Sequence, residues 1–210
     1  MSFAMPCQCP TAKSRLGTRR VHRIQRNTRV YAGPPYMIPW MPVENRNGYT
    51  LRLLQPHPIA KTTYTNRGDG YLSLGSYMSG ANQTQTRYPE SHPIVMSYSA
   101  DDASAKDWKK VMHVYLHQED STEPLALPTD DSVTLDIAGG NIIAAKKFEG
   151  NATQPVCEKY YRELVKQLEV DFGPGALPQQ GTIDFQLAQY GPLHSLTPRL
   201  NEIWITISMS

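Results

Sequence analysis

The chain has 210 residues, which allows one domain or two small ones. Hydrophobic residues are 40% and charged residues 19%, so a packed core forms and wholesale disorder is excluded. No run of about 18 apolar residues occurs, which excludes a membrane-spanning helix, and three cysteines (Cys7, Cys9, Cys157) are too few for a disulfide framework.

The net charge of +2 conceals an asymmetry. The first acid is Glu44, whereas Lys13, Arg15, Arg19, Arg20, Arg23, Arg26 and Arg29 all precede position 32. An acid-free, Arg-rich stretch with interspersed Ser and Thr resembles an organelle transit peptide, and it lacks the apolar core of a secretory signal. Val30-Tyr31-Ala32 resembles the cleavage context of chloroplast transit peptides. The expectation is therefore a cleaved plastid-targeting segment over residues 1–32 and a chloroplast location. Setting those seven cations aside leaves 14 basic and 19 acidic residues, a net of −5. The remaining body carries no basic stripe, which argues against a nucleic-acid partner.

Residues 33–47 are rich in proline and in apolar side chains. Pro34, Pro35, Pro39 and Pro42 forbid a helix and disfavour a central strand. Tyr36, Met37, Ile38, Trp40 and Met41 predict an extended segment packed along the body, either as a tied-down terminus or as a lid for a partner or ligand.

Strands are predicted over 49–54 and 59–64, separated by Pro56 and Pro58. A short helix over 70–79 follows, capped by Asp69 and closed by Gly80, with Tyr71, Leu74, Tyr77 and Met78 on one face. Two more strands, 93–98 and 110–117, flank a polar loop at 99–107. The order then recurs. Residues 132–137 and 141–148 read as strands joined through Gly139-Gly140 as a hairpin. A longer helix is capped by Thr153 and ended by Gly173-Pro174, with Cys157, Tyr161, Leu164, Leu168 and Phe172 as its apolar stripe. Strands 182–187 and 202–207 finish the chain.

Each half thus reads β-β-α-β-β. The predicted fold is α+β: a distorted antiparallel β-barrel of about eight strands with two flanking helices, built from a duplicated unit. The meeting of two such halves creates a concave, largely apolar seam, which is where ligands ordinarily sit.

The C-terminal third carries specific motifs. Ile143-Ala144-Ala145-Lys146-Lys147-Phe148-Glu149-Gly150 precedes the second helix, Gln189-Tyr190-Gly191-Pro192 forms a turn, and Arg199-Leu200-Asn201-Glu202-Ile203-Trp204 closes the chain. In that order they resemble the SOUL/haem-binding-protein family. Tyr49-Thr50-Leu51-Arg52 is similar to its opening strand, Leu74–Gly80 to its first helix and Pro93-Ile94 to a strand start, so the resemblance covers residues 48–207. It implies a domain over 48–210 that binds haem or another tetrapyrrole non-covalently in an apolar groove beside the first helix. It also implies a plastid setting near tetrapyrrole metabolism, lipid globules (plastoglobules) or the eyespot.

A tetrapyrrole needs a flat apolar slot and a few cationic or donor groups. The candidates are Leu74, Tyr77 and Met78 on the first helix, Tyr190 and His194 near the last turn, and Arg199. His57, in a rigid Pro-His-Pro turn, is the candidate metal ligand. His113 and His117 share one face of a strand but stand ~13 Å apart, too far for one ion. Arg199, Asn201 and Glu202 read as a structural cluster in which Glu202 pairs with Arg199 or with backbone donors.

No nucleophile elbow, phosphate-binding Gly-rich loop, Cys-x-x-Cys pair or His-Glu-x-x-His occurs, so the expected protein is not an enzyme. It is expected to be a tetrapyrrole buffer, carrier or sensor. Two alternatives stay open. One is a hydrolase on the same scaffold using a buried Glu90 or Glu202. The other is a structural protein of plastid lipid globules or the eyespot, in peripheral contact with lipid through residues 33–43.

Overall fold

The computed structural model describes residues 35–100, 108–118, 123–173, 183–191 and 199–207. The stretch expected to be a targeting segment (1–32), with Cys7 and Cys9, and His194 lie outside them. Eleven strands and two helices are assigned among these residues: β1 (Tyr36–Met37), β2 (Trp40–Arg46), β3 (Tyr49–Leu54), β4 (His57–Thr63), α1 (Arg67–Met78), β5 (Ser91–His92), β6 (Ile94–Ala100), β7 (Lys109–Tyr115), β8 (Val133–Ala138), β9 (Ile142–Glu149), α2 (Gln154–Phe172), β10 (Ile183–Gln189) and β11 (Leu200–Ile207).

The predicted elements are all present, with small shifts at their ends. α1 begins at Arg67, three residues early, because Asn66 rather than Asp69 is its cap: the Asn66 side chain accepts the Gly68 N–H at 3.0 Å. α2 starts after Thr153 as predicted. There the extended backbone makes the boundary, and Thr153 contributes no side-chain cap hydrogen bond. Residues 40–46, read as an extended segment, form a true edge strand. Its register shifts between Pro42 and Glu44, so the proline sits at a bulge on an outer strand, where its missing N–H does no harm.

Nine strands form one strongly curled, antiparallel half-barrel sheet in the order β2-β3-β9-β11-β10-β6-β7-β4-β8. The duplication is visible in that order. Exchanging β3 with β8, β4 with β9, β6 with β10 and β7 with β11 turns the eight positions that follow β2 into their own mirror sequence. β2 is the additional strand outside this symmetry. The approximate two-fold lies between β6 and β10, where Tyr98 faces Phe185 across the ladder.

One expectation is corrected. Gly139-Gly140 does not close a hairpin, because β8 pairs with β4 and β9 pairs with β3. The first strand of each half is handed to the other half, and the two connections pass each other. At the crossing, Gly140 N–H donates to Leu54 O at 2.8 Å and Leu54 N–H donates to Asn141 O at 3.1 Å. Gly139 has φ +99°, and a Cβ there would lie 2.3 Å from Gln55 O. The glycines give the positive φ seen in hairpin turns, but the steric demand they meet is a chain crossing.

The two sides of the sheet differ. One carries both helices: Leu74 and Tyr77 of α1 and Cys157, Leu164 and Leu168 of α2 pack with Met96, Met112, Phe185 and Ile203 in the larger core. The other side holds a smaller cluster with no helical residue in it: Leu54, Ile59, Val95, Tyr115, Ile143, Trp204 and others, with Ile38 from the extended segment. Val95, Ala188 and Trp204 are buried there with no helix over them, so the sheet curls around this side, which is its concave one. Replacing Gly139 by Ala is expected to destabilise the fold by about 2–4 kcal/mol, since both the φ and the 2.3 Å approach oppose a side chain. The check is a lowered urea midpoint, against a Gly75→Ala control in α1, where φ is not positive and a Cβ meets nothing within 4 Å.

Candidate functional site

α1 turns Gly70, Leu74 and Tyr77 into the core, a spacing of four and three residues along one face. Arg67 and Tyr71 stand beside that face, one turn apart. Arg67 donates from Nη2 to the Tyr98 hydroxyl at 2.8 Å, and Tyr64 donates to the same oxygen at 3.1 Å. Tyr98 stacks on Phe185 (5.2 Å between ring centres) and meets Trp108 edge-on (6.1 Å), while Tyr161 of α2 stacks on Phe185 from the other helix (5.0 Å). An aromatic seam therefore lies over the β6/β10 two-fold, where the two halves join. Tyr64, Tyr71, Trp108 and Tyr161 are its half-buried members.

Two guanidiniums border this seam. Burial opposes the Arg67 charge, but the Tyr98 and Tyr64 hydroxyls and the adjacent Cys157 thiol favour it, and its pKa ends above the ordinary value. Arg199 lies close enough to favour ionisation of Tyr71, although burial holds that phenol above its usual pKa. Among the described residues, neither arginine has a carboxylate partner. The Cys157 thiol is pushed up to about 11, chiefly by burial, and so stays protonated at neutral pH. Flat aromatic faces and half-buried cations without acids fit a planar, carboxylate-bearing molecule.

The other residues singled out by sequence are spread more widely. Leu74 and Tyr77 are 1% and 2% exposed; Tyr77 donates to Ala126 O at 2.7 Å and stacks on Tyr88, so both belong to the helix–sheet core beneath the seam. Met78 is half-buried against the same core. Arg199 lies near enough to Tyr71 to influence its ionisation, and its carbonyl accepts from Asn201 Nδ2 at 3.1 Å. Tyr190 and His57 lie with the concave-side residues, away from the seam. His57 is half-buried against the Tyr36 ring, and its Nε2 has no hydrogen-bond partner among the described residues. Sequence reading missed Arg67, Tyr64, Tyr98 and Trp108. The available signal was Arg67-x-x-x-Tyr71, a cation and an aromatic on one helix flank, at the start of a helix whose first turn was misplaced.

The expected partnership of Glu202 is also corrected. Its carboxylate pairs with Arg52, not Arg199, through two parallel bonds of 2.9 Å, and it accepts further bonds from the Tyr190 hydroxyl (2.9 Å) and Trp204 Nε1 (2.8 Å). Trp40 covers the Arg52 guanidinium, 4.6 Å from its ring centre. Glu202 is buried as a catalytic acid would be, yet these four donors already occupy its oxygens; Glu90 is largely exposed.

Two measurements follow from this geometry. Arg52→Met should cost about 3–5 kcal/mol in chemical denaturation, because it strands the Glu202 charge in the interior. His113 is a second case. Burial, reinforced by Lys61, lowers its pKa to about 4. The unfolded chain then takes up the proton first, so this contribution is complete above pH ~6.5 and is lost as pH falls. Stability should drop by about 2 kcal/mol between pH 6.5 and 5, and His113→Gln should flatten that slope.

Comparison with known proteins bears on the fold and the family. No curated protein matches the chain. Among solved structures, the EcmrR C-terminal domain superposes with a TM-score of 0.56 at 10% identity, covering 77% of this chain and 98% of that one. A hydrolase from Listeria innocua gives 0.51 at 12% identity over 79% and 94%, and a hydrolase encoded by lin2189 from the same organism gives 0.50 at 13% over 85% and 94%. At such identities the likeness concerns the fold alone. The family model described as SOUL heme-binding protein matches residues 35–206, nearly all of the chain that the structure describes, and by that match the protein belongs to the SOUL heme-binding family.

Proposed function

We propose that the protein binds haem or a related tetrapyrrole reversibly at the α1–α2 seam and serves in the plastid as a buffer, carrier or sensor. The observation that carries this reading is the pairing of half-buried aromatic rings with two guanidiniums, Arg67 and Arg199, that lack acidic partners among the described residues. Tyr64, Tyr71, Trp108 and Tyr161 would pack against the macrocycle, and burial of its faces would drive binding at roughly 25 cal/mol per Å² of apolar area. Arg67 and Arg199 would meet the propionates.

The donor set suits the organic ring better than its metal. No imidazole of the described residues lies in the seam, and the Cys157 thiol stays protonated. His57, expected from its Pro-His-Pro turn to be the iron ligand, is on the concave side. Binding through ring faces and carboxylates makes the metal dispensable, so haem and metal-free protoporphyrin IX should bind with similar affinity. The transit-like residues 1–32 support the plastid setting, and a fluorescent fusion of the full chain tests it.

Titration of the full-length protein with haem and protoporphyrin IX should shift the Soret band and quench tryptophan emission at micromolar ligand. Arg67→Ala should weaken the free acid about tenfold while leaving the dimethyl ester nearly unaffected, the scale expected when one charge-assisted hydrogen bond is lost. A flat titration, or equal loss for acid and ester, rejects the reading. A second reading rests on exposed apolar residues: Met37 (52%), Trp40 (43%), Met41 (48%) and Val43 (47%) cluster along β1 and β2. They suit peripheral contact with plastid lipid globules, which flotation with plastid lipid vesicles would detect.

A further inference from the structure

Two amide side chains are buried where β10 ends and β11 begins. Gln189 is 6% exposed and Asn201 is 0% exposed, and the two are register partners. They form a row of hydrogen bonds with α1. Tyr71 donates to Gln189 Oε1 at 2.9 Å, and Gln189 Nε2 donates to Asn201 Oδ1 at 2.9 Å. Asn201 Nδ2 then donates to Gly150 O at 2.9 Å and to Arg199 O at 3.1 Å. The Arg199 carbonyl also accepts the Gly150 N–H at 3.3 Å. The row therefore joins α1, the turn between β9 and α2, and the residue that precedes β11.

The chemistry of its ends gives this row one direction. Carbonyl oxygens only accept, so the two that face Asn201 fix its nitrogen on their side. Its oxygen is left to face Gln189, which must present nitrogen there. The Gln189 oxygen then leaves Tyr71 only the donor role. Tyr71 has one hydroxyl proton, and it is spent inward. Toward the seam the same oxygen can only accept. Arg67, one turn earlier on α1, and Arg199 both lie close enough to favour ionisation of this phenol. At this end of the seam, a ligand carboxylate finds its donors on the guanidiniums and not on Tyr71.

We propose that Gln189 and Asn201 are positioning residues for Arg199: the directed row pins the Arg199 main chain against Gly150 and ties it to Tyr71, so that the guanidinium is in place before a ligand carboxylate arrives. This assignment rests on the tetrapyrrole reading of the seam. Neither amide touches the ligand. Their contribution is preorganisation, because a long side chain held at its base loses less freedom when it binds. The row also crosses between the halves, from α1 of the first to Gly150 at the entry to α2 of the second, so it fixes the arginine relative to both helices.

The test titrates full-length wild type, Gln189→Leu, Arg199→Ala and the double variant with protoporphyrin IX and with its dimethyl ester. Arg199→Ala should cut the preference for the acid over the ester about tenfold. Gln189→Leu should cut it about fivefold while leaving ester affinity unchanged, and the double variant should lose no more than Arg199→Ala alone. Gln189→Glu, which keeps the acceptor for Tyr71 and removes only the donor to Asn201, should act in the same sense. In the ligand-free wild type, the side-chain amide protons of Gln189 and Asn201 should exchange slowly with solvent. The positioning role is overturned by fast exchange of those protons, by an unchanged acid-to-ester ratio in Gln189→Leu or Arg199→Ala, or by additive losses in the double variant. Equal loss for acid and ester in Gln189→Leu also overturns it, since that is the mark of a purely structural residue. A wild type that binds neither porphyrin overturns the seam reading and this role with it. A wild type that prefers the acid, beside a Gln189→Leu variant that prefers it equally, overturns this role alone.

Discussion

Two chain connections must pass each other between the halves of this protein, and the passage leaves no space for a side chain at Gly139. Because β3 is paired to β9 and β4 to β8, neither half completes its own part of the sheet. The ladder hydrogen bonds that satisfy one half's outer strand belong to the other half, and an unpaired buried strand is costly. The duplicated unit is therefore one cooperative body, not two small domains in contact. The exchange also sets where chemistry can occur. It brings β6 and β10 together at the two-fold and lays α1 and α2 on the same side, so an aromatic seam forms between their flanks.

The two sides of the sheet treat charge in opposite ways. On the helical side, Arg67 rests on phenol hydroxyls and Arg199 lies near Tyr71, with no carboxylate of the described residues to neutralise either. Positive charge is thereby kept where an anionic ligand can use it. On the concave side, Arg52 and Glu202 neutralise each other through two bonds, and Tyr190 and Trp204 complete the carboxylate's shell. Burying two ions is expensive unless the geometry is complete, so this quartet ties the middle of β3 to β11 and to the residue that follows β10, and offers little to a ligand. The histidines of that side are held neutral at neutral pH, since burial lowers the His57 and His113 pKa values.

A fold shared with hydrolases does not transfer a reaction to this chain, because function resides in sites and not in the scaffold. The buried glutamate illustrates the point. A general acid or base needs an oxygen free to exchange a proton with a substrate, and Glu202 has its oxygens engaged by four donors.

Sequence by itself determined the element list, the duplication and the family. Those depend on local pattern: alternation in strands such as 133–138, the four-and-three spacing of Cys157, Tyr161, Leu164 and Leu168, and the closing Arg199–Trp204 motif. Only the tertiary structure decided which strands pair, because Gly139-Gly140 permits a hairpin and a crossing equally well, and it is the pairing of β8 with β4 and of β9 with β3, far apart in sequence, that makes it a crossing. It likewise decided that Glu202 meets Arg52, 150 residues away, instead of its neighbour Arg199. Tyr77 was legible as apolar and helical, yet its burial depended on Ala126 and Tyr88 arriving from distant segments. Local propensity acts over a few residues along the chain, whereas partners and burial are set by whatever folding brings within a few ångströms.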